Sequence, residues 1–241
     1  MVGGWKLASV QRSTIADAVV RELRRAIVDG DIAQGEQLRE EYLARILGTG
    51  RGVVREALRQ LAQEGLVEAM PHRGSFVRLL SLEDRLDVYA AREAIESGAA
   101  LRALRSPEPL DLGRMREALA RLEAAAAGHD RVTEAVITAD LDFHRELVAL
   151  AGSPRLSRAH ETLAAETQML LRHHPAYPSS DYVGDHTLLQ DALERRDPRT
   201  AELVAEHLRL SARLIGGELA RRTGQPIDAP GDPGGGETTH A

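Results

Sequence analysis

The sequence predicts a mainly α protein: an N-terminal winged helix-turn-helix with a small β-hairpin wing, followed by an all-α antiparallel bundle of six helices. Three observations carry this expectation. Aromatic residues make up only 3% of the chain while hydrophobic residues reach 43%, so the core must be built from Leu, Ala, Val and Ile, a mixture that favours helices over sheets. Apolar residues recur at helical spacing along most of the chain and give way to short strand-like runs only between Leu66 and Leu79. Gly, Pro and capping residues fall where those helical patterns start and stop. With 241 residues, the chain suits two modest domains better than one large one.

Taken in order, residues 1–11 read as a flexible arm. From Thr14 to Asp29, Ile15, Val19, Leu23 and Ile27 stand four apart and mark one apolar helix face, with Gly30 as its C-terminal stop. A turn containing Gly35 leads to a short helix over Glu40–Leu47, which Gly48 breaks. In the stretch GRGVVREALRQLAQEGLV, Val54, Ala57, Leu58 and Leu61 follow the i, i+3, i+4, i+7 rule, and Gly65 ends this third helix. LVEA and SFVRL then flank a Pro- and Gly-containing turn, MPHRG, as a hairpin. Ser81, with Asp84 three residues later, starts a helical region through a capping box. Six helices are expected over about 82–105, 109–127, 131–151, 154–174, 182–196 and 198–222, with Ser153-Pro154 and Asp197-Pro198 as N-cap and first-turn pairs. The domains expected are therefore 12–78 and 79–223, followed by a Gly- and Pro-rich disordered tail at 224–241.

Charge is divided unevenly. The net charge is −6, but Arg12–Arg78 carries 11 Arg against 10 acidic residues, whereas Leu79 to the end carries 19 Arg against 27. Nucleic-acid binding by the first part alone is compatible with that split. The absence of cysteine excludes disulfide scaffolds and thiolate metal sites, so any metal must be held by N and O ligands. No apolar run of about 18 residues suggests a membrane span, and the N-terminus lacks a signal-peptide core. A cytoplasmic location is expected.

Arg51, Arg55 and Arg59 form a stripe at four-residue intervals beside the buried face of the third helix. Such a stripe can be an ordinary solvated face. On the second helix of a helix-turn-helix it also faces the major groove, where Arg can bind guanine O6 and N7 or contact phosphates. His72-Arg73-Gly74 would be the wing tip.

The stretch LRRAIVDGDIAQGEQLREEYLARILGTGRGVVREALRQLAQEGLVEAMPHRGSFV resembles the winged-helix domain of the GntR family of bacterial transcription regulators. About 55 residues carry the family's landmarks in order: the I-x-x-G-x-x-x-x-G-x-x-L opening, L-A-x-x-L-G, V-R-E-A-L-x-x-L-x-x-E-G-L-V, and R-G-x-F-V at the wing. The pattern departs at Gly50-Arg51-Gly52-Val53, where the family has Ser-Arg-Thr-Pro, and at Glu41 or its neighbour Tyr42, where it often has Arg. An atypical operator is expected, since a carboxylate at 41 can pair with neither a guanine edge nor a phosphate, although it could accept from a cytosine amino group.

In the helical part, Asp140 and His144 share a helix face, and His186 and His207 stand in later helices. Each His taken singly could be an ordinary packed or surface residue. Together the four suit Zn, Ni, Mn or a similar divalent ion, with Zn the default. Spacing alone does not bring the helices together. Residues 79–222 resemble the FCD ligand-binding domain of the FadR subfamily of GntR regulators, through D-x-Y-x-x-R-x-x-I-E at Asp87–Glu96, D-x-x-F-H at Asp140–His144, the His186–Pro198 stretch and A-x-x-H-L around His207. Six helices resemble the VanR-like branch more than FadR itself. The resemblance implies that Asp140, His144, His186 and His207 are metal ligands and that a small carboxylate effector occupies the remaining coordination positions. Arg92 resembles a family Arg that can face the pocket, yet it could equally form an i, i+4 ion pair with Glu96. Arg172, His173 and His174 could line the cavity, compensate a helix end or be exposed.

The function expected is thus a homodimeric regulator that binds a palindromic double-stranded DNA operator and is no enzyme. A purely structural metal is one alternative. A metal-dependent hydrolase with an appended DNA-binding domain is the other, with Asp142 and Asp185 as the near candidates for its base.

Overall fold

The computed structural model describes residues 15–128, 133–172 and 179–223. The arm at 1–11, the tail at 224–241, and His173 and His174 lie outside them. The described residues form two compact units: those through Leu80 together with Glu161–Met169, and Ser81–His160 together with those from Leu170 onward.

In the first unit, α1 (Ile15–Val28) buries Val19, Leu23 and Ile27 of the expected stripe, together with Val20, and leaves Ile15 exposed. Gly30 follows at φ 74°, a left-handed position that suits glycine, and its N–H donates to the Ile27 carbonyl. Helices α2 (Glu40–Ile46) and α3 (Arg51–Gln63) make the helix-turn-helix. Helix α3 packs on both α1 and α2, burying Val54, Ala57, Leu58 and Leu61 of its own with Leu43 and Ala44 of α2. Arg24 on α1 donates from Nε (2.9 Å) and Nη2 (2.7 Å) to Glu64 just past α3, closing the unit on its polar side.

The wing is a three-stranded antiparallel sheet in the order β1-β3-β2, with β1 at Gln37–Leu38, β2 at Val67–Met70 and β3 at Gly74–Val77. The expected hairpin is β2–β3, with Val67 opposite Val77 and Met70 opposite Gly74. The third strand was not expected. It is two residues long, too short for alternation to show, and pairs Gln37 with Phe76 and Leu38 with Ser75.

The chain beyond Leu80 is helical: α4 (Leu82–Leu104), α5 (Gly113–Ala126), α6 (Glu134–Ala149), α7 (Pro154–Arg172, whose middle belongs to the first unit), α8 (Ser179–Glu194) and α9 (Thr200–Thr223). Helix α4 packs on α6 and α9, and α5 on α6 and α8. Met115, Leu122, Phe143, Leu147, Leu189, Leu193 and Leu208 are fully buried. The Ser81 capping box forms as expected, with the Asp84 N–H donating to Ser81 Oγ (3.0 Å) and the Ser81 N–H to Asp84 (2.9 Å).

Four helix starts differ from expectation. Helix α8 begins at Ser179 instead of about 182, and α6 at Glu134 instead of about 131, where Thr133 caps it by accepting from the Val136 N–H. Helix α5 begins at Gly113 instead of 109, because Asp111 accepts from the Gly113 N–H in a local turn that holds the preceding residues out of the helix. Helix α9 begins at Thr200, since Asp197-Pro198 is spent on a turn in which Asp197 Oδ1 accepts from the Arg199 N–H (2.8 Å).

Candidate functional site

Helix α3 starts at Gly50, an extended residue with no side chain to cap the helix; its carbonyl accepts from the Val53 and Val54 N–H groups. A Cβ built on Gly50 or on Gly52 would meet nothing within 4 Å. With Val54, Ala57, Leu58 and Leu61 turned inward, Arg51, Arg55 and Arg59 are exposed as one stripe.

Sequence spacing did not reveal that each of these arginines meets a carboxylate. Arg51 Nη2 lies 2.8 Å from Glu41 Oε1. Arg55 donates to Glu40 from Nε (2.9 Å) and Nη2 (2.7 Å). Arg59 pairs with Glu56 on its own helix. A cleft of about 740 Å³ opens where α2 meets α3, lined by Arg39, Tyr42, Arg45, Thr49 and Arg51 among others.

At the wing tip His72, Arg73 and Gly74 are exposed. The chain turns there through left-handed conformations at His72 (φ 61°) and Gly74 (φ 98°). Gln37 Nε2 donates to the Arg73 carbonyl (2.9 Å), so the short β1 braces the tip, and the Arg73 guanidinium stands 5.8 Å from the centre of the Phe76 ring.

The second constellation is interior. Asp140 and His144 on α6, His186 on α8 and His207 on α9 converge. Ligand-capable nitrogens of His144, His186 and His207 lie within 4.8 Å of one another, and all three residues are buried. Asp140 Oδ1 is 3.0 Å from His186 Nε2 and 3.8 Å from His144 Nε2. The rings of His144 and His207 stack at 5.3 Å, while His186 meets both edge-on and is backed by Phe143 at 4.7 Å. Burial pushes His144 down to about 4 against the raising effect of Glu96, and burial lowers His207 as well. Both rings are therefore neutral at pH 7, with lone pairs to offer. Burial tends to raise Asp140, but the His186 hydrogen bond and neighbouring positive charge outweigh it, leaving the carboxyl below the usual carboxylate range.

Glu96 on α4 stood in the sequence as the end of the Asp87–Glu96 landmark and as a possible partner for Arg92, with no role in the histidine cluster. It is fully buried and organises the cluster: Oε2 accepts from His144 Nδ1 (2.6 Å), and Oε1 takes Arg92 Nε (2.8 Å) and His160 Nε2 (3.2 Å). With Nδ1 committed to Glu96, His144 turns Nε2 toward Asp140. Burial would raise the Glu96 carboxyl, but Arg92 and His144 hold it well below its ordinary value. Arg92 thus makes the i, i+4 ion pair, and its buried Nη2 has no hydrogen-bond partner among the described residues. His160 gave no signal, being a single His at no motif position. Asp185 lies 3.6 Å from His207 Nδ1, Asp142 pairs with Arg121 and Arg145, and Arg172 pairs with Glu134.

A helix-turn-helix bearing an exposed basic stripe and a braced wing, in one chain with a helical unit that has a buried polar centre, defines a transcription regulator. The chain belongs to the GntR family: residues 15–77 match the bacterial regulatory proteins of that family, and residues 87–210 match the FCD domain, which places it with the FadR-like regulators. It is 33% identical over 197 residues to a probable D-xylose utilization operon transcriptional repressor of Paenarthrobacter nicotinovorans, covering 81% of this chain and 86% of that one. To the putative HTH-type regulator RmpR of Mycobacterium gastri it is 29% identical, covering 89% and 87%. Among solved structures, a putative GntR regulator from Rhodococcus sp. RHA1 superposes with a TM-score of 0.73 at 28% identity, covering 84% of this chain and 97% of that one. McbR/YncC of E. coli shares the fold, with a TM-score of 0.70 at 21% identity, covering 86% and 100%. These relatives are regulators, not enzymes. No described helix is long and apolar enough to cross a membrane.

Proposed function

We propose that this regulator controls its operator affinity through a small organic acid bound at a divalent metal, with Asp140, His144, His186 and His207 as the metal ligands. The observation that carries the reading is the convergence of three buried imidazoles from three helices to within 4.8 Å. The donor set fits: neutral rings supply lone pairs, and Asp140 adds one negative charge beside them. A bound divalent ion, zinc by default and nickel or manganese by the same donor chemistry, would supply an anchor for a carboxylate.

The residues around it do the rest. Glu96 fixes the His144 ring, and Arg92 keeps an unpartnered Nη2 that suits an anionic group. Beside His207 a groove of about 500 Å³, lined by Asp185, Leu189, Leu203, Leu210 and Arg213 among others, gives a small molecule an approach. On the DNA side, Arg51, Arg55, Arg59 and the His72–Gly74 tip would meet a palindromic operator as a homodimer, two recognition helices to two half-sites. An effector acts only through its differential affinity for two states of the dimer.

The test is elemental analysis of untagged protein beside His144→Ala and His207→Ala. About one divalent ion per chain, lost in both variants, is expected. Operator binding should then respond to one member of a carboxylate panel, which should include sugar acids given the relative named for D-xylose utilization. No metal after incubation with Zn, Ni and Mn would refute the site. A metal whose removal unfolds the protein, with no response to any carboxylate, would make it structural.

A further inference from the structure

The three arginines of α3 are paired in different ways. Arg59 and Glu56 share one helix, both exposed. Arg51 reaches Glu41 through a single contact between two exposed side chains. Arg55 is clamped: Nε lies 2.9 and 3.2 Å from the two Glu40 oxygens, and Nη2 lies 2.7 Å from Oε2. Glu40 is the first residue of α2, half-buried at 31% exposure, where the helix's free N–H groups favour a carboxylate. Its carboxyl is held below the ordinary value, first by the Arg55 hydrogen bond, so the pair is fully charged at neutral pH.

This clamp occupies the side-on edge of the guanidinium. The end-on edge, Nη1 with the remaining Nη2 hydrogen, is engaged by no described residue. We propose that Arg55 reads a base and that Glu40 is its positioning residue, presenting the end-on edge of the guanidinium to O6 and N7 of one guanine instead of to a phosphate. The proposal rests on the DNA-binding reading above. Two physical reasons favour the base. A phosphate is drawn by net charge, and the Arg55–Glu40 pair has none, with a carboxylate that repels the DNA backbone. A guanine edge is drawn by donor direction, and the clamp fixes that direction while removing rotamer freedom that a loose Arg loses on binding. Arg55 should therefore contribute to discrimination and little to salt dependence.

The experiment starts by enriching a duplex from a randomised library with the full-length protein. Each guanine of that duplex is then replaced singly by 7-deazaguanine, which lacks the N7 acceptor. Binding of wild type, Arg55→Ala and Glu40→Gln is measured across a salt series. One guanine per half-site is expected whose replacement weakens wild type several-fold and leaves Arg55→Ala unaffected. In Glu40→Gln that penalty should shrink, and the slope of log affinity against log salt should steepen by about 0.9, one phosphate contact. The proposal is overturned if Arg55→Ala weakens every duplex alike and flattens the slope by that amount, since Arg55 would then hold a phosphate. It is also overturned if Glu40→Gln changes neither quantity. Failure to enrich any duplex would instead refute the DNA-binding reading itself.

Discussion

The same chemical pair stands in two places, and its surroundings give it opposite duties. Arg55 and Glu40 join α3 to α2 with side chains 61% and 31% exposed. Arg92 and Glu96 join successive turns of α4 with side chains 2% and 0% exposed. In water the first pair competes with solvent and salt, so it contributes little to stability and leaves one edge of Arg55 open. In the core the second has no solvent to fall back on, so removing either member leaves a buried charge uncompensated. On the DNA-binding reading, the exposed pair aims an arginine outward while the buried pair holds the histidine cluster in place.

The largest break in that comparison is Arg92→Ala. It should cost about 3–5 kcal/mol in urea unfolding, because Glu96 loses its main counter-charge in a dry site. Zinc comes next. In the wild type, free zinc at about 100 times its Kd should stabilise by about 2.7 kcal/mol, and in His207→Ala the melting temperature should ignore it.

Acid gives a further contrast. The metal-free bundle should lose stability as pH falls from about 6.5 towards 4, since unfolded His144 takes up a proton that the buried ring, at about 4, refuses. The sign follows from the extra proton on the unfolded chain: stability rises with pH through this window. Glu96 and Asp140, both lowered, add the same trend at lower pH. Thermal melts of chelator-treated protein across this range would show it; a flat profile would mean His144 is not shielded as its burial indicates.

The smallest effect on stability is Glu40→Gln. Its melting temperature should fall by a few degrees at most, so that a loss of DNA discrimination belongs to recognition and not to folding.

Much of this was legible in the chain. Val54, Ala57, Leu58 and Leu61 announced the buried side of α3 and hence where its arginines point, and Ser81 with Asp84 announced the start of α4. Asp140 and His144 could be paired because one turn of helix separates them. His186 and His207 could be joined to them only by resemblance, since the meeting of α6, α8 and α9 is a tertiary fact that no local spacing encodes. Glu96 and His160 were hidden for a related reason: a carboxylate on a helix reads as solvated until the neighbouring helices cover it. Strand β1 and the turn at Asp197-Pro198 were lost to short-range chemistry, a two-residue pairing and a side-chain hydrogen bond that displaces a helix start.

The bare first turn of α3 has an evolutionary consequence. Gly50 and Gly52 each have open space where a Cβ would go, and neither has a positive φ. Within a helix a glycine is roughly 0.5–1 kcal/mol worse than alanine, so most replacements at Gly52 would gain stability as well as a new side chain at the groove. If α3 reads the operator as proposed, descendants of this regulator would sample new operators through single codons at its start, without crossing a valley of poorly folded intermediates.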